Sequence, residues 1–518
     1  MAASGAQPWF RPGRQLAGSG VTAPVIVVGA GPTGLMLAGE LRLAGADVTL
    51  IDRLPEPAGE SRGLGFTPRT METFAQRGLL ERFGDITTSP YGHFGGIPVD
   101  FSVLPGAHFA VKDVPQDRTE AVLGEWLAGM GVRVLRDHEL AGLSQDAGGV
   151  NVNIGTPNGS RLLRCSYLIG CDGGRSTVRR LGGFDFPGTE STLEMLLADV
   201  TDCEIRQRPI GETVPGGMAM SARIRPGVHR IIVCEIGAAP RQRSGPPSRE
   251  EVAAAWTRLT GQDISEASMP WRSAFGNAAR QVTEYRRGRI LLAGDAAHVH
   301  LPAGGQGMNV GIQDAVNLGW KLGAVARGSA AGALLDTYHS ERHPVGARVL
   351  INTRAQGLLY LTGSETQPLR DIFAELIEHE DVRRHLAAMI SGLDIRYDVG
   401  PGDHPLLGRR LPGTELITES GKTTTPALLR TARGVLLDLA GDPGLRQAAA
   451  GWEDRVDVIT AALHEPEPDA PLADTNSVLV RPDGYVAWAR PGGGDLSAAL
   501  RSWFGPPGGP SRQDREAP

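Results

Sequence analysis

The segment Val25-Ile-Val-Val-Gly29-Ala-Gly31-Pro32-Thr33-Gly34 constrains this chain more than any other. A short apolar run, read as a buried strand, leads into glycines spaced G-x-G-x-x-G, and a helical pattern follows from about Pro32 to Ala44. Asp47-Val-Thr-Leu-Ile51 reads as a second strand that ends at Asp52. Two strands joined through a helix run parallel, so this is a β-α-β unit. In such a unit Gly29 permits the tight turn, Gly31 lets backbone approach a pyrophosphate, and Gly34 allows close helix–strand packing. Free N–H groups at the helix start and the positive end of its dipole favour that anion. Asp52 is placed to accept hydrogen bonds from a ribose. The motif alone does not say which dinucleotide is bound.

Glycine is abundant beyond this loop: 70 of 518 residues, roughly twice the ordinary share. No Gly-X-Y period runs through the chain and 41% of residues are hydrophobic, which excludes collagen and wholesale disorder. The length suits about three domains. The formal charge is −6, with no basic block for nucleic acid and no polybasic segment for a membrane surface. Residues 1–22 lack an apolar signal core and read as a disordered leader. The longest uncharged stretch, Ala23–Gly39, is interrupted by Gly-Pro-Thr-Gly and is short for a membrane span. Cys165, Cys171, Cys203 and Cys234 form no C-x-x-C pair, as expected of free thiols in a reducing cytoplasm.

Further along, the texture changes. Met195–Val200 and Arg230–Glu235 read as strands separated by Gly/Pro turns such as Pro215-Gly-Gly217, which suits a mostly antiparallel sheet. Arg289–Ala293 then restores a short buried strand, followed by a Gly-rich loop and a helix to about Arg327. We therefore expect a discontinuous Rossmann-like α/β domain over 23–188 and 277–395, with helical patterning to about Gly392, and a sheet domain inserted at 189–276. A Gly/Pro-rich stretch from Tyr397 to Pro412 marks a boundary. Beyond it, 396–518 reads as a small α/β domain with strands near Gly434–Leu439, Arg455–Ile459, Ser477–Val480 and Tyr485–Trp488, the last two joined by the turn Arg481-Pro-Asp-Gly484.

Two more clusters narrow the chemistry. One is Tyr167-Leu-Ile-Gly-Cys-Asp172-Gly-Gly-Arg-Ser176 with Arg179; the other is Gly288-Arg-Ile-Leu-Leu-Ala-Gly294-Asp295-Ala-Ala-His298, continuing through Pro302-Ala-Gly-Gly-Gln-Gly-Met-Asn309. With three motifs in this order and spacing, the chain resembles the group A flavoprotein monooxygenases, the p-hydroxybenzoate hydroxylase superfamily. Within it the likeness is greatest to bacterial aromatic polyketide hydroxylases of angucycline and anthracycline pathways. The resemblance runs from Ala23 to Phe504 and implies FAD as the bound dinucleotide, NADPH (or NADH) as reductant, and dioxygen and an aromatic polyketide as substrates. It also implies that the C-terminal domain is thioredoxin-like; all four cysteines precede it, so dithiol chemistry is excluded there.

The resemblance assigns roles to matching residues. Gly29, Gly31, Pro32, Thr33 and Gly34 hold the pyrophosphate, Asp52 the adenosine ribose, and Arg53 lies beside the adenine end. Arg62 lines the flavin and helps receive the nicotinamide, and Gln116 meets the ribityl and phosphate region. Asp172 serves the cofactors or ties its loop to the sheet, two readings that stay open. Asp295 meets the ribityl chain with two acceptor oxygens, and Pro302 stands against the isoalloxazine ring. Gly305, Gly307, Met308 and Asn309 open the long helix, whose backbone N–H groups suit the negative charge of reduced flavin near N1 and the C2 carbonyl. His93, Trp271 and Phe275 are candidate substrate walls, with core packing the competing reading of the last two. His298 and His300 alone carry no metal signature.

No Ser-His-Asp order or paired carboxylate emerges, so no catalytic acid or base is named. The family chemistry places oxygen activation on the flavin as a C4a-hydroperoxide, with the protein supplying binding and a dry pocket. Hydroxylation of a polycyclic aromatic polyketide is the leading expectation, by a cytoplasmic monomer or homodimer. Baeyer–Villiger insertion, a non-catalytic flavin carrier or sensor, and a simple nicotinamide dehydrogenase are the alternatives. The last leaves the Asp172 and Asp295 clusters without a role, and the absence of W-x-W-x-I-P disfavours halogenation.

Overall fold

The computed structural model describes residues 23–59, 63–104, 110–111, 114–465 and 472–508. Its first sheet grows around Val25–Val28, buried along its whole length as a parallel central strand should be. Val48–Ile51 pairs parallel on one side and Tyr167–Gly170 on the other. Ile290–Leu292 adds parallel beyond Tyr167–Gly170, and Val134–Leu135 beyond Val48–Ile51. The chain therefore returns to this sheet after more than a hundred residues spent elsewhere. The helix Pro32–Leu43 starts with proline at its first position, where the missing N–H costs nothing. It crosses the long helix Gln306–Ala326 at close range: a Cβ on Gly319 would lie 2.3 Å from that of Glu40.

A three-stranded antiparallel sheet, Glu139–Asp146, Gly149–Thr156 and Gly159–Cys165, lies between two strands of the first sheet. It was not anticipated from sequence, although Val150, Val152 and Ile154 alternate inward and are fully buried.

The 189–276 region forms a five-stranded antiparallel sheet in the order Arg208–Val214, Gly217–Arg225, Val228–Glu235, Glu194–Thr201 and Ser268–Gly276. One face packs on the helix Arg249–Thr260, burying Ala198, Val200, Ile231, Val233 and Trp256. That helix starts on the Ser248 hydroxyl, which accepts from the Glu251 N–H at 3.2 Å, and stops at left-handed Gly261. Its other face looks toward the loop before the long helix.

The C-terminal sheet has the order Gly421–Thr424, Glu415–Thr418, Val456–Leu463, Gly434–Asp438, Ser477–Val480, Val486–Arg490. Only Gly434–Asp438 and Val456–Leu463 pair in parallel. It docks on the rest of the chain in two ways. Trp503 and Phe504 pack against Trp320 of the long helix. The turn Arg481–Gly484 inserts charge into the interface: Arg481, fully buried, donates to both carboxylate oxygens of Glu341 at 2.6 and 2.8 Å. Glu341 also receives Lys321 at 2.7 Å, and Asp483 receives the Trp320 indole N–H at 3.1 Å. A buried charge persists only when paired like this.

Candidate active site

The three glycine-rich segments meet at the carboxyl ends of Val25–Val28, Tyr167–Gly170 and Ile290–Leu292, the edge where open parallel sheets bind ligands. Gly29 has φ +102°, and a Cβ on it would collide with the Cys171 carbonyl oxygen at 2.4 Å. A Cβ on Gly31 would meet nothing within 4 Å, so the space in front of the helix start is open. Thr33 reaches across: an added Cβ on Gly294 would lie 2.7 Å from its Oγ1 and one on Gly311 2.3 Å away. The first and third motifs are thus in direct contact.

Asp52 accepts from the N–H groups of Ala30 at 2.7 Å and Leu54 at 2.9 Å, fastening the second strand's end to the glycine loop. Arg136, which sequence reading missed, stands 3.6 Å from its Oδ1. Only the pairing of Val134–Leu135 with Val48–Ile51 brings it there. Arg53 is exposed. Gln116 opens the helix Gln116–Gly129, its Oε1 accepting from the Gly63 N–H at 3.3 Å. Arg62 lies outside the described residues, as does the leader at 1–22.

Asp172 takes up its carboxylate locally. It accepts from the Ser176 hydroxyl at 2.5 Å and the N–H groups of Thr177 and Val178 at 2.7 and 3.0 Å. Burial lifts it above the ordinary carboxylate range despite these donors. This is the loop-fastening arrangement, beside the Gly29 turn.

Asp295 differs. It is exposed, with no protein hydrogen bond among the described residues, and an added Cβ on Gly307 would lie 4.0 Å from its Oδ1. Pro302 is exposed beside it. Gly304 and Gly305 have φ +68° and +66°, and the long helix begins at Gln306 without a side-chain cap. Its first N–H groups are open beside an unpaired carboxylate. Asn309 is buried and serves as a brace: its Oδ1 accepts from Thr67 N–H at 2.8 Å, and its Nδ2 donates to Gly305 O at 2.8 Å. Met308 packs toward Gly63.

His298 finds a carboxylate from farther along the chain. Asp314 accepts from His298 Nε2 at 2.8 Å, the Gly294 N–H at 3.0 Å and Arg342 Nε at 2.7 Å. Burial alone would raise Asp314, but Arg342 and His298 outweigh it and hold the carboxyl below its usual range. Among the described residues no group of three ligating side chains is placed to hold a metal. His300 turns Nδ1 to the Leu301 carbonyl at 2.8 Å, and burial depresses its basicity. Burial also pushes the thiols of Cys165 and Cys234 up to about 12 and 11.

Over the Leu301–Ala303 loop lies the open face of the five-stranded sheet. Met195, Met218 and Cys234 are buried with Leu301, Ala303 and Tyr360, and Met220, Ile232 and Phe275 pack at the edge. Sequence reading found Phe275 but not the methionines, whose alternation along paired strands becomes a common wall only once the register is known. Trp271 sits on the Phe275 strand but packs differently. The Arg230 guanidinium lies 4.4 Å from its ring centroid and is paired with Asp199 at 2.7 Å. His93 lies on the hairpin Tyr91–Asp100, its ring 6.1 Å from that of Tyr360. A buried amide chain joins that hairpin to the helix start: Asn352 donates to Gln306 at 3.1 Å, Gln356 to Asn352 at 3.0 Å, and Gly95 N–H to Gln356 at 3.1 Å.

Residues 22–353 match the FAD binding domain family and residues 404–507 the aromatic-ring hydroxylase C-terminal family. A 12-dehydrotetracycline 5-monooxygenase/anhydrotetracycline 6-monooxygenase of Streptomyces rimosus is 44% identical over 501 residues, covering 93% of this chain and 99% of its own. A rifampicin monooxygenase of Streptomyces venezuelae is 43% identical over 489 residues, covering 93% and 98%. The crystal structure of CabE, an aromatic hydroxylase from angucycline biosynthesis, superposes with a TM-score of 0.92 at 62% identity, covering 94% of this chain and 100% of that one. Among the described residues no helix is long and apolar enough to cross a membrane.

Proposed function

The chain belongs to the FAD-dependent aromatic-ring hydroxylases, and on that premise we propose that it hydroxylates a polycyclic aromatic polyketide at the expense of NADPH and dioxygen. One arrangement carries the reading: an open helix start beside the free Asp295 carboxylate, facing an apolar wall. When bound, FAD takes electrons from the nicotinamide and activates dioxygen; the protein's part is to bind, orient and keep the pocket dry.

The residues present suit FAD. Gly31 leaves room for a pyrophosphate where Gly29 and Gly34 have no room for side chains of their own. In this reading Asp52, with Arg136 and Arg53, serves the adenosine end, while Arg62, Gln116 and Asp295 serve the ribityl and flavin portion. The uncapped start at Gly305–Asn309 offers N–H groups to negative charge on the ring, so no cationic side chain is required. Met195, Met218, Met220 and Phe275 form the substrate's wall, since thioethers and rings adapt to a flat apolar molecule. Asp172 acts by fastening its own loop, whose backbone abuts the Gly29 turn. The working unit is a cytoplasmic monomer or homodimer.

The test is direct. Gently purified protein should be yellow and should oxidise NADPH faster when an angucyclinone is added, giving a product with one added oxygen. NMR of that product should show a new phenolic carbon. A ring-expanded ester or lactone would assign Baeyer–Villiger oxygenation instead. Colourless protein, or NADPH oxidation indifferent to the angucyclinone, would sink the proposal.

A further inference from the structure

A cleft of about 430 Å³ lies between the helix Gln306–Ala326, the helix Asp336–Tyr360 and the segment 389–398. Neither Asp52 nor Asp295 lines it, and no residue of the five-stranded sheet reaches it. It is therefore separate from the pocket described above, although both use the start of the long helix.

Its lining has an unusual property. Thr67 Oγ1, Gln306 Nε2 and Gln313 Oε1 are buried polar atoms without a hydrogen-bond partner, and all three residues line this cleft. They are 8%, 3% and 8% exposed. Buried polar groups are nearly always paired, so three orphans around one space need a physical account. Together they offer a donor, an acceptor and a hydroxyl that can act as either. Val310, Val345, Val349 and Ile390 supply apolar wall between them.

Charge excludes one class of occupant. Arg348 pairs with Asp394 at 3.5 Å, Arg396 Nε donates to the Leu407 carbonyl at 2.9 Å, and the Asp398 carboxylate lines the same space. Glu341 also borders the space, but Arg481 and Lys321 occupy its carboxylate. No cationic surplus remains for a phosphate, so a nicotinamide or flavin nucleotide does not suit. The volume lies within the range of small-molecule pockets.

We propose that this cleft is a second binding site, taking a neutral ring compound that bears both carbonyl and hydroxyl groups. The carbonyl accepts from Gln306, the hydroxyl donates to Gln313, and the ring faces rest on the valines. This goes beyond the hydroxylase reading and does not depend on turnover.

The experiment uses the flavin-loaded full chain and 1,8-dihydroxyanthraquinone as probe, with calorimetry for stoichiometry and flavin absorbance for proximity to the cofactor. Two equivalents should bind, one perturbing the flavin spectrum and one silent. Val349→Trp, which fills the cleft, should abolish the silent equivalent and leave the flavin-perturbing one. Gln313→Leu should weaken the silent phase at least tenfold, and it decides the matter if Val349→Trp does not retain flavin. A single equivalent that perturbs the flavin spectrum, with no silent one beside it, would leave the cleft without a ligand, and the proposal would fall. It would fall equally if the silent phase survived Gln313→Leu unchanged. Loss of the flavin-perturbing phase alone would count against the polyketide pocket and not against this site.

Discussion

The Cα of Gly34 packs so tightly on the carbonyl of Gly29 that an added Cβ would stand 1.8 Å from its oxygen. Three positions earlier in the G-x-G-x-x-G loop, Gly31 has open space instead. Gly34 thus answers to packing within the protein, whereas we propose that Gly31 answers to what the protein binds. Gly34→Ala should lower the melting temperature of flavin-free protein, at a cost of about 1–3 kcal/mol from overpacking. Gly31→Ala should leave that melting temperature unchanged and emerge with little bound flavin. Thermal melts and flavin absorbance separate the two; equal effects on both would contradict this division.

The two aspartates of the later motifs divide in the same way. Asp295→Ala removes a carboxylate with no protein partner among the described residues. It should weaken FAD binding roughly ten- to a hundredfold, the range for a hydrogen bond to a charged group, with apoprotein stability intact. Asp172→Ala strands the Ser176, Thr177 and Val178 donors. It should destabilise the fold by about 1–3 kcal/mol before any effect on flavin is considered. Fluorescence titration of apoprotein with FAD, beside a denaturant melt, reads both.

Acid should weaken the C-terminal domain's attachment. Burial alone would raise Glu341, yet Arg481 and Lys321 outweigh it and hold it at about 2, below the ordinary 4.5. A carboxyl depressed in the folded state contributes stability above its unfolded pKa and loses it as pH falls. The melting temperature should therefore drop progressively from about pH 5 toward pH 2, by up to roughly 3 kcal/mol of stability from this group. Glu341→Gln should be less stable at neutral pH and show a shallower acid slope. An unchanged slope would remove Glu341 from the account.

Gln356 sits in the amide chain between Gly95 and Asn352, fully buried. Gln356→Leu leaves the cofactor residues untouched but frees the hairpin carrying His93. Flavin retention should match the parent protein, while the KM for an angucyclinone rises roughly three- to tenfold, about the worth of one buried hydrogen bond. If flavin content falls instead, the chain supports the helix start more than the hairpin.

Much of the site was legible because its signals are local. A tight turn, a helix start and a buried parallel strand are each specified by neighbouring residues, so the segments at 29–34, 170–174 and 302–309 could be read and matched to a flavin family. The antiparallel texture of 189–276 was equally plain from its turns. The strands at 139–165 passed unread, although their alternation is regular once they are paired.

The family, the cofactor class and the elements that carry the glycine motifs are therefore encoded over short spans. Which polar groups are occupied and which remain open is set by the packing of distant segments. Asp172 precedes a glycine and Asp295 follows one, yet the first is consumed by its own loop and the second has no protein partner among the described residues. His298 meets Asp314, Arg481 meets Glu341, and the methionines of two strands form one wall through contacts between distant segments. Whether a group is paired or free depends on such contacts and on the burial they produce, and no stretch of neighbouring residues carries that information.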